Sequence, residues 1–165
     1  MLRTINSLLA QTRVPNEIIV LASDISLSEA ERAYPAIRFH PEPNLNDWGH
    51  DKRAKGLDLA SSDYTGWFNH DDSYDKTYIE VMMSEAEDGH DAVYCGWSKA
   101  STPNFRSGSS TSGNYIVSTT LAREAGYTDR HYEADGTFIE KIASRSKSLK
   151  FVPKVLYFHN EVRNG

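Results

Sequence analysis

The 165-residue chain holds a single cysteine, Cys95, so no internal disulfide can staple it. Cys95 lies inside the apolar run "DAVYCGW" and reads as a buried, inert thiol. No stretch approaches the roughly 20 consecutive apolar residues that a membrane span needs. Positive charge is also short. Against 23 Asp and Glu stand 18 Lys and Arg, a net charge of −5, which excludes a nucleic-acid polymer as the main partner because that role needs a basic face. A small phosphorylated ligand stays open, provided that a metal or a local basic cluster meets it. The opening "MLRTINSLLAQT" lacks the unbroken apolar core of a signal peptide, since Asn6, Ser7 and Gln11 interrupt it. It reads as a helix of the mature fold, and the protein as cytoplasmic.

What is present is the composition of an ordinary globule, 39% hydrophobic and 25% charged, at a length that suits one domain over 1–165. Leu2, Ile5, Leu8 and Leu9 share one helical face. "EIIVL" (17–21) is a short β-branched run suited to a buried strand. Helical patterns follow in "SLSEAERAY", "HDKRAKGLDLA", "TLAREAG" and "GTFIEKIAS". A further helix carries Tyr78, Ile79, Met82, Met83 and Ala86 inward. Strand patterns appear in "IRFHPE", "DYTGWFN", "DAVYCGW", "YIVST" and "KFVPKVLYFHN". The alternation predicts an α/β/α sandwich with a mostly parallel central sheet. The Ser/Gly-rich segment from Ala100 to Asn114 has little to bury and is expected to form a mobile lid.

The chemistry concentrates in "WFNHDDSYD" (67–75), where an apolar strand gives way to Asn69, His70, Asp71 and Asp72. Adjacent carboxylates repel unless they are solvated or matched by a cation. A hard divalent ion takes such oxygens and bridges to phosphates. By itself the pair suits a solvated turn equally well. In an open α/β sheet, though, ligands bind beyond the carboxyl ends of strands, where this motif falls. His70 and His159 are the histidines nearest to it, and an imidazole beside carboxylates favours Mn²⁺ over Mg²⁺. His50, His90 and His131 have no comparable company. Lys52, Arg53 and Lys55 form the densest basic cluster, either a solvated helix face or a diphosphate clamp. Glu133 and Asp135, in "HYEADGTF", either favour a helix dipole or supply a general base.

The order of these signals resembles the family 2 glycosyltransferases of GT-A fold, which use nucleotide-diphospho-sugars. "LRTINSLLAQTRVPNEIIVL" looks like that family's first helix and second strand. "KRAKGLDLASSDYTGWFNHDDSYDKTYIE" looks like its central block ending in the D-x-D motif, and "LAREAGYTD" with "EADGTFIEKI" like its catalytic-base region. The resemblance places Asp71 on the metal-binding Asp and puts Asn69 where the first Asp of the motif is usual. Asp72 falls on the trailing Asp, Arg53 on the arginine that approaches the donor's phosphates, and Asp135, with Glu133 nearby, on the catalytic base. His159 stands where such enzymes supply a histidine to the metal. Ser23 and Asp24 fall near the family's uracil-binding acid, with Ala22 and Ser23 at the positions of its usual paired Asp. The family's usual first strand has no counterpart ahead of the first helix, so the expectation is a minimal GT-A core, with a homodimer as one way to cover the exposed edges.

The resemblance implies a Mn²⁺- or Mg²⁺-dependent transferase that moves a hexose from a UDP-sugar (UDP-glucose or UDP-galactose type) to an unidentified acceptor hydroxyl, with inversion. The competing reading is a nucleotide-sugar-binding remnant with little or no transfer activity. A nucleotidyltransferase would usually carry a Gly-rich phosphate loop near its start, and none is present.

Overall fold

The structure, a computed structural model, describes residues 2–23 and 27–159. In chain order the elements are α1 (Leu2–Leu9), β1 (Ile19–Ala22), α2 (Leu27–Ala33), β2 (Arg38–Pro41), α3 (His50–Leu59), β3 (Tyr64–Thr65) and β4 (Ser73–Tyr74). There follow α4 (Tyr78–Glu87), β5 (Ala92–Trp97), a 3₁₀ turn (Ser112–Asn114), β6 (Tyr115–Ser118), α5 (Thr119–Ala125), α6 (Ala134–Arg145) and β7 (Leu149–Phe158).

Period-2 alternation in two central strands splits the core into layers. Ala92, Tyr115 and Val117 face α5 and α6, joining Leu121, Phe138, Ile139 and Ile142. Val93, Cys95 and Ile116 face the other way, onto Leu8 of α1 and Tyr78, Ile79 and Met82 of α4. This is the expected α/β/α arrangement. Full burial of side chains such as Phe138, Ile139, Ile142 and Met82 contributes about 1.5–3 kcal/mol each.

The strands are not mostly parallel, which corrects the expectation. The main sheet runs β3-β6-β5-β7-β4, and only β5–β7 is a parallel pair within it. The connections explain this, since a parallel neighbour needs a crossover, usually a helix. The chain from β5 to β7 passes through α5 and α6, and β1 reaches its parallel partner β2 through α2. Between β5 and β6 no α-helix intervenes, and the chain returns antiparallel.

That β5–β6 connection is also no loose lid. Phe105 is buried against Tyr115 and Tyr94, and Trp97 donates from Nε1 to Ser109 O at 3.1 Å. Asn114, fully buried, donates to Cys95 O at 2.8 Å and accepts from Thr111 N at 2.9 Å. One phenylalanine and one asparagine thus pin a segment whose bulk composition suggests mobility. Cys95 has the inert environment expected of it, its thiol pKa pushed up to about 12 by burial.

The β1–β2 pair forms its own sheet, with Ile37 and Phe39 packed on Ile5 of α1. Among the described residues no ladder joins β1 to β3. A cleft of about 580 Å³ lies between them, lined by Ile19–Ala22 on one side and by Tyr64–Phe68 on the other. Gln11 braces the region beneath. It donates to Asp75 O at 2.7 Å and accepts from Ile79 N at 2.9 Å, covering the open N-terminus of α4 from the turn that follows α1.

Gly113 lies flat against the Tyr157 ring, and a methyl group there would overlap it. Gly113→Ala is therefore expected to lose about 1–3 kcal/mol in urea unfolding, as overpacked cores do.

Candidate functional site

The strand ending at Thr65 delivers the acidic motif into a tight corner before β4, which the sequence pattern does not reveal because β4 has only two residues. Within that corner the two aspartates separate. Asp72 turns inward and is 0% exposed. Tyr157 OH donates to its Oδ2 at 2.7 Å and Asn69 Nδ2 donates to the same oxygen at 2.9 Å. His159 Nδ1 lies 3.1 Å from Oδ1. A carboxylate only accepts, so Nδ1 carries the proton. Thr4 Oγ1, from α1, bonds the backbone oxygens of both Asn69 and Asp72 at 2.7 and 2.9 Å. Burial first, then the Asp72 charge, drives the Tyr157 pKa well above its usual value, so the phenol stays a donor. Asp71, next along, is half-buried and makes no hydrogen bond with the described residues.

Asn69 connects this anchor to the basic cluster. Its Oδ1 accepts from Arg53 Nη2 at 2.9 Å while its Nδ2 donates to Asp72. An aspartate at this position could take the arginine but would offer Asp72 a second negative charge instead of a donor. The departure from the D-x-D pattern thus has a physical reason. Arg53 also donates from Nη1 to Trp48 O at 2.8 Å. Of its basic neighbours, Lys52 lines the cleft with it, whereas Lys55 pairs with Glu42 outside.

A second cavity, of about 420 Å³, opens beyond Arg53 and Trp48, which line both spaces. Glu133 and Asp135, at the start of α6, line only this second one. Glu133 is exposed; Asp135 is half-buried, and its Oδ1 accepts from Gly136 N at 2.8 Å. His50, only 2% exposed, sits on the same wall. Arg53 Nη1 and Tyr127 OH point donors at His50 Nδ1, at 3.4 and 3.2 Å, which leaves the ring proton on Nε2. Burial, then Arg53, lower the pKa of His50 below 6.5 and keep it neutral. Trp48 has φ 56, a left-handed backbone that is costly for a bulky side chain, on the order of 1–3 kcal/mol.

The structure therefore brings Arg53, Asn69, Asp72 and His159 into one hydrogen-bonded chain. It sets Asp135 and Glu133 across the Arg53 junction. Ser23 stands half-buried just after β1, and Asp24 lies outside the described residues. His70 is exposed at the edge of the first cleft. Among the described residues no three of His, Cys, Asp and Glu gather as a ready-made metal site. Tyr157, Trp48 and His50 escape sequence reasoning: the first lies inside a strand pattern, and nothing in a sequence marks a tryptophan as exposed or a histidine as roofing a cavity.

The Glycosyl transferase family 2 sequence model matches residues 1–144. No curated protein sequence matches the chain. Among solved structures, S. aureus TarS 1-349 in complex with UDP superposes with a TM-score of 0.78 at 14% identity, over 96% of this chain and 55% of that one. The same protein in complex with UDP-GlcNAc gives a TM-score of 0.73 at 14% identity, over 98% and 55%. A 4-diphosphocytidyl-2C-methyl-D-erythritol synthase gives 0.57 at 10% identity, over 92% and 80%. The chain spans about half the length of TarS 1-349, and at such identities the likeness is one of fold, the GT-A fold.

Asn69→Asp is expected to destabilise the protein by about 1–3 kcal/mol at pH 7.5, read as a urea midpoint. Like charge raises the folded pKa of the new pair above its unfolded value, so the loss should shrink relative to wild type as pH falls toward 5. His50 sets a second pH dependence. Its folded pKa is depressed, so below about pH 6.5 the unfolded chain binds the extra proton and stability falls with pH. Midpoints measured between pH 7.5 and 5.5 should drop in wild type and flatten in His50→Asn.

Proposed function

The chain belongs to glycosyl transferase family 2, and from that premise we propose that it transfers a hexose from a UDP-sugar to an acceptor hydroxyl. The supporting observation is the hydrogen-bonded chain Arg53–Asn69–Asp72–His159, with the carboxylate of Asp135 across the Arg53 junction. Arg53 would meet the diphosphate, its guanidinium held in place by Trp48 O and Asn69 before the ligand arrives, so that no reorganisation is needed as charge develops. Lys52 adds positive charge to the same cleft. Ser23 would lie toward the uracil and His70 at the mouth, and a role for Asp24 in holding the base rests on the family resemblance alone. TarS, crystallised with UDP and with UDP-GlcNAc, makes an N-acetylhexosamine donor a natural member of the test panel beside UDP-glucose and UDP-galactose.

In the reaction, Asp135 takes the proton of the acceptor hydroxyl as that oxygen attacks the anomeric carbon. The bond from that carbon to the diphosphate oxygen breaks, UDP departs past Arg53, and configuration inverts. Glu133, beside it on the exposed rim, is the alternative carboxylate for the proton.

A divalent cation here would depend on its ligand to complete it, since among the described residues no three His, Cys, Asp or Glu side chains gather. Mg²⁺-type sites in phosphate chemistry use only one or two carboxylates, the phosphates and water supplying the rest. Asp71 offers a carboxylate with no hydrogen bond among the described residues, and His159 has Nδ1 on Asp72, the orientation by which a carboxylate sets a metal-binding imidazole. Mn²⁺ or Mg²⁺ held by Asp71 and His159 would supply charge neutralisation of the departing UDP.

The test is UDP release from UDP-glucose, UDP-galactose and UDP-GlcNAc with Mn²⁺, Mg²⁺ or EDTA. Asp135→Asn should lower kcat by about 10²–10⁴-fold while UDP still binds. Asp71→Ala should remove the metal-dependent part. UDP binding with no release above background would identify a binding remnant instead, and metal-independent release unaffected by Asp71→Ala would remove the cation from the reaction.

A further inference from the structure

Strand β1 is poorly buried for its composition. Its "IVLA" is as apolar as the central strands, yet every residue in it is only half-buried, whereas Tyr115, Ile116 and Val117 of β6 are buried. Across the cleft Tyr64, Gly66 and Phe68 are half-buried too. Apolar surface gathered in one concavity marks a place of contact. The backbone shows what kind. Ile18 O accepts from Arg38 N and Ala22 O from Glu42 N, so the even-numbered residues along β1 turn their polar groups to β2. Alternation along a strand then aims the N–H and C=O of Ile19 and Leu21 into the cleft. On the facing wall, Asp63 O accepts from Thr119 N, and Thr65 stands opposite Val117. Those two residues therefore face β6, and the backbone groups of Tyr64 and Gly66 face the cleft. Glu17, just ahead of β1, accepts from the N–H of Ser61 and Ser62, just ahead of β3, so both strands start at one end and run the same way.

We infer that the cleft receives one extended strand of a separate polypeptide, an uncharged run of about five aliphatic residues that hydrogen-bonds to β1 and β3 at once. Among the described residues no ladder joins those strands, and the N–H and C=O groups of Ile19, Leu21, Tyr64 and Gly66 are the ones it pairs with. Helices cover both faces, with Leu8, Ile79 and Met83 from α1 and α4 on one and Gly56 of α3 on the other, so the occupant is apolar on both sides. The same walls admit a lone segment and not the edge of a folded sheet, which rules out a second folded copy. Charged lining residues stand at the ends: Glu17 and Asp63 where the strands start, Lys52 and Arg53 in the first turn of α3, and His70 past β3. The middle therefore suits an uncharged stretch. Residues 1–165 do not supply one beyond those described: 24–26 are too few, and 160–165, "NEVRNG", carries Glu161 and Arg163 and no apolar run. The inference concerns the depth between the strands and stands apart from the transferase reading, which uses the end near Arg53.

The experiment is amide hydrogen exchange, read by NMR on the whole chain. The probe is a blocked peptide of valines and isoleucines, about strand length, with a lysine at each end for solubility. Exchange at Ile19, Leu21, Tyr64 and Gly66 should slow about fivefold or more, the size of one net hydrogen bond, while Val20 and Thr65, already bonded to β2 and β6, should not change. The same peptide N-methylated throughout its core keeps its apolar surface and loses its donors, and it should bind about tenfold more weakly or worse. Ile19→Lys, at a half-buried position, sets a charge beside the strand and should weaken binding about tenfold while exchange in β5 stays as in wild type. Equal binding of the N-methylated peptide would overturn the inference, as would displacement of the peptide by UDP, which would make the whole cleft a nucleotide pocket. Slowed exchange at the same amides on raising protein concentration alone would overturn it in favour of a second copy. Peptide binding without UDP binding would leave the inference and sink the transferase. UDP binding with no peptide effect at these amides would do the reverse.

Discussion

A carboxylate shut away from water imposes more on this chain than any other single group. Removing an ion such as Asp72 from solvent costs several kcal/mol after relaxation, and only a full set of donors offsets that. Here the donors come from Tyr157 and His159 at the end of β7 and from Asn69 in the same corner, while Thr4 of α1 clasps the backbone behind them. Segments more than 60 residues apart in sequence are thereby fixed to one point. The same requirement shapes the apolar core. Tyr157 delivers its hydroxyl because its ring is clamped by Tyr74 and Trp97 and lies against Gly113. A polar need at the site and a packing need in the interior are met by one side chain.

From Asp72 the constraint passes outward. Asn69 relays it to Arg53, Arg53 holds the carbonyl of Trp48 and faces the ring of His50, and Tyr127 closes that ring from the core side. The interior anchor thus orders a guanidinium, an indole and an imidazole that line the two cavities. Preorganisation of this kind lowers the cost of meeting charge when it appears, because the dipoles are already aimed.

Much of the fold is legible in the sequence where a pattern repeats long enough to be read. Leu2–Leu9, Tyr78–Glu87 and Ala134–Arg145 follow their apolar spacing, and Ala92–Trp97 its alternation. Strand direction is not so marked, because parallel or antiparallel pairing depends on whether a helix lies in the connection. Two-residue strands such as Ser73–Tyr74 carry no period at all. At the site, the motif reveals where acidic groups gather but not that neighbours divide, Asp72 inward and Asp71 half-exposed. The meaning of Asn69 depends on partners that only folding brings together, as does the anchoring of the Ser/Gly segment by Phe105 and Asn114.

The separation of the two sheets has a mechanical side. Helix α1 straddles the cleft, with Ile5 packed on the small sheet and Leu8 on the large one, and α3 leans on Leu21 through Gly56. Among the described residues no backbone ladder crosses between β1 and β3, and the coupling there is carried by these side-chain contacts together with Glu17, whose carboxylate accepts from the backbone N–H of Ser61 and Ser62. The small sheet, with Ser23 just past β1, is held to α1 and α3 by side chains, while Arg53 of α3 is tethered to the corner before β4 through Asn69. The cleft is thus asymmetric in what holds it, one wall referred to a buried charge through Arg53 and Asn69 and the other seated on apolar side chains.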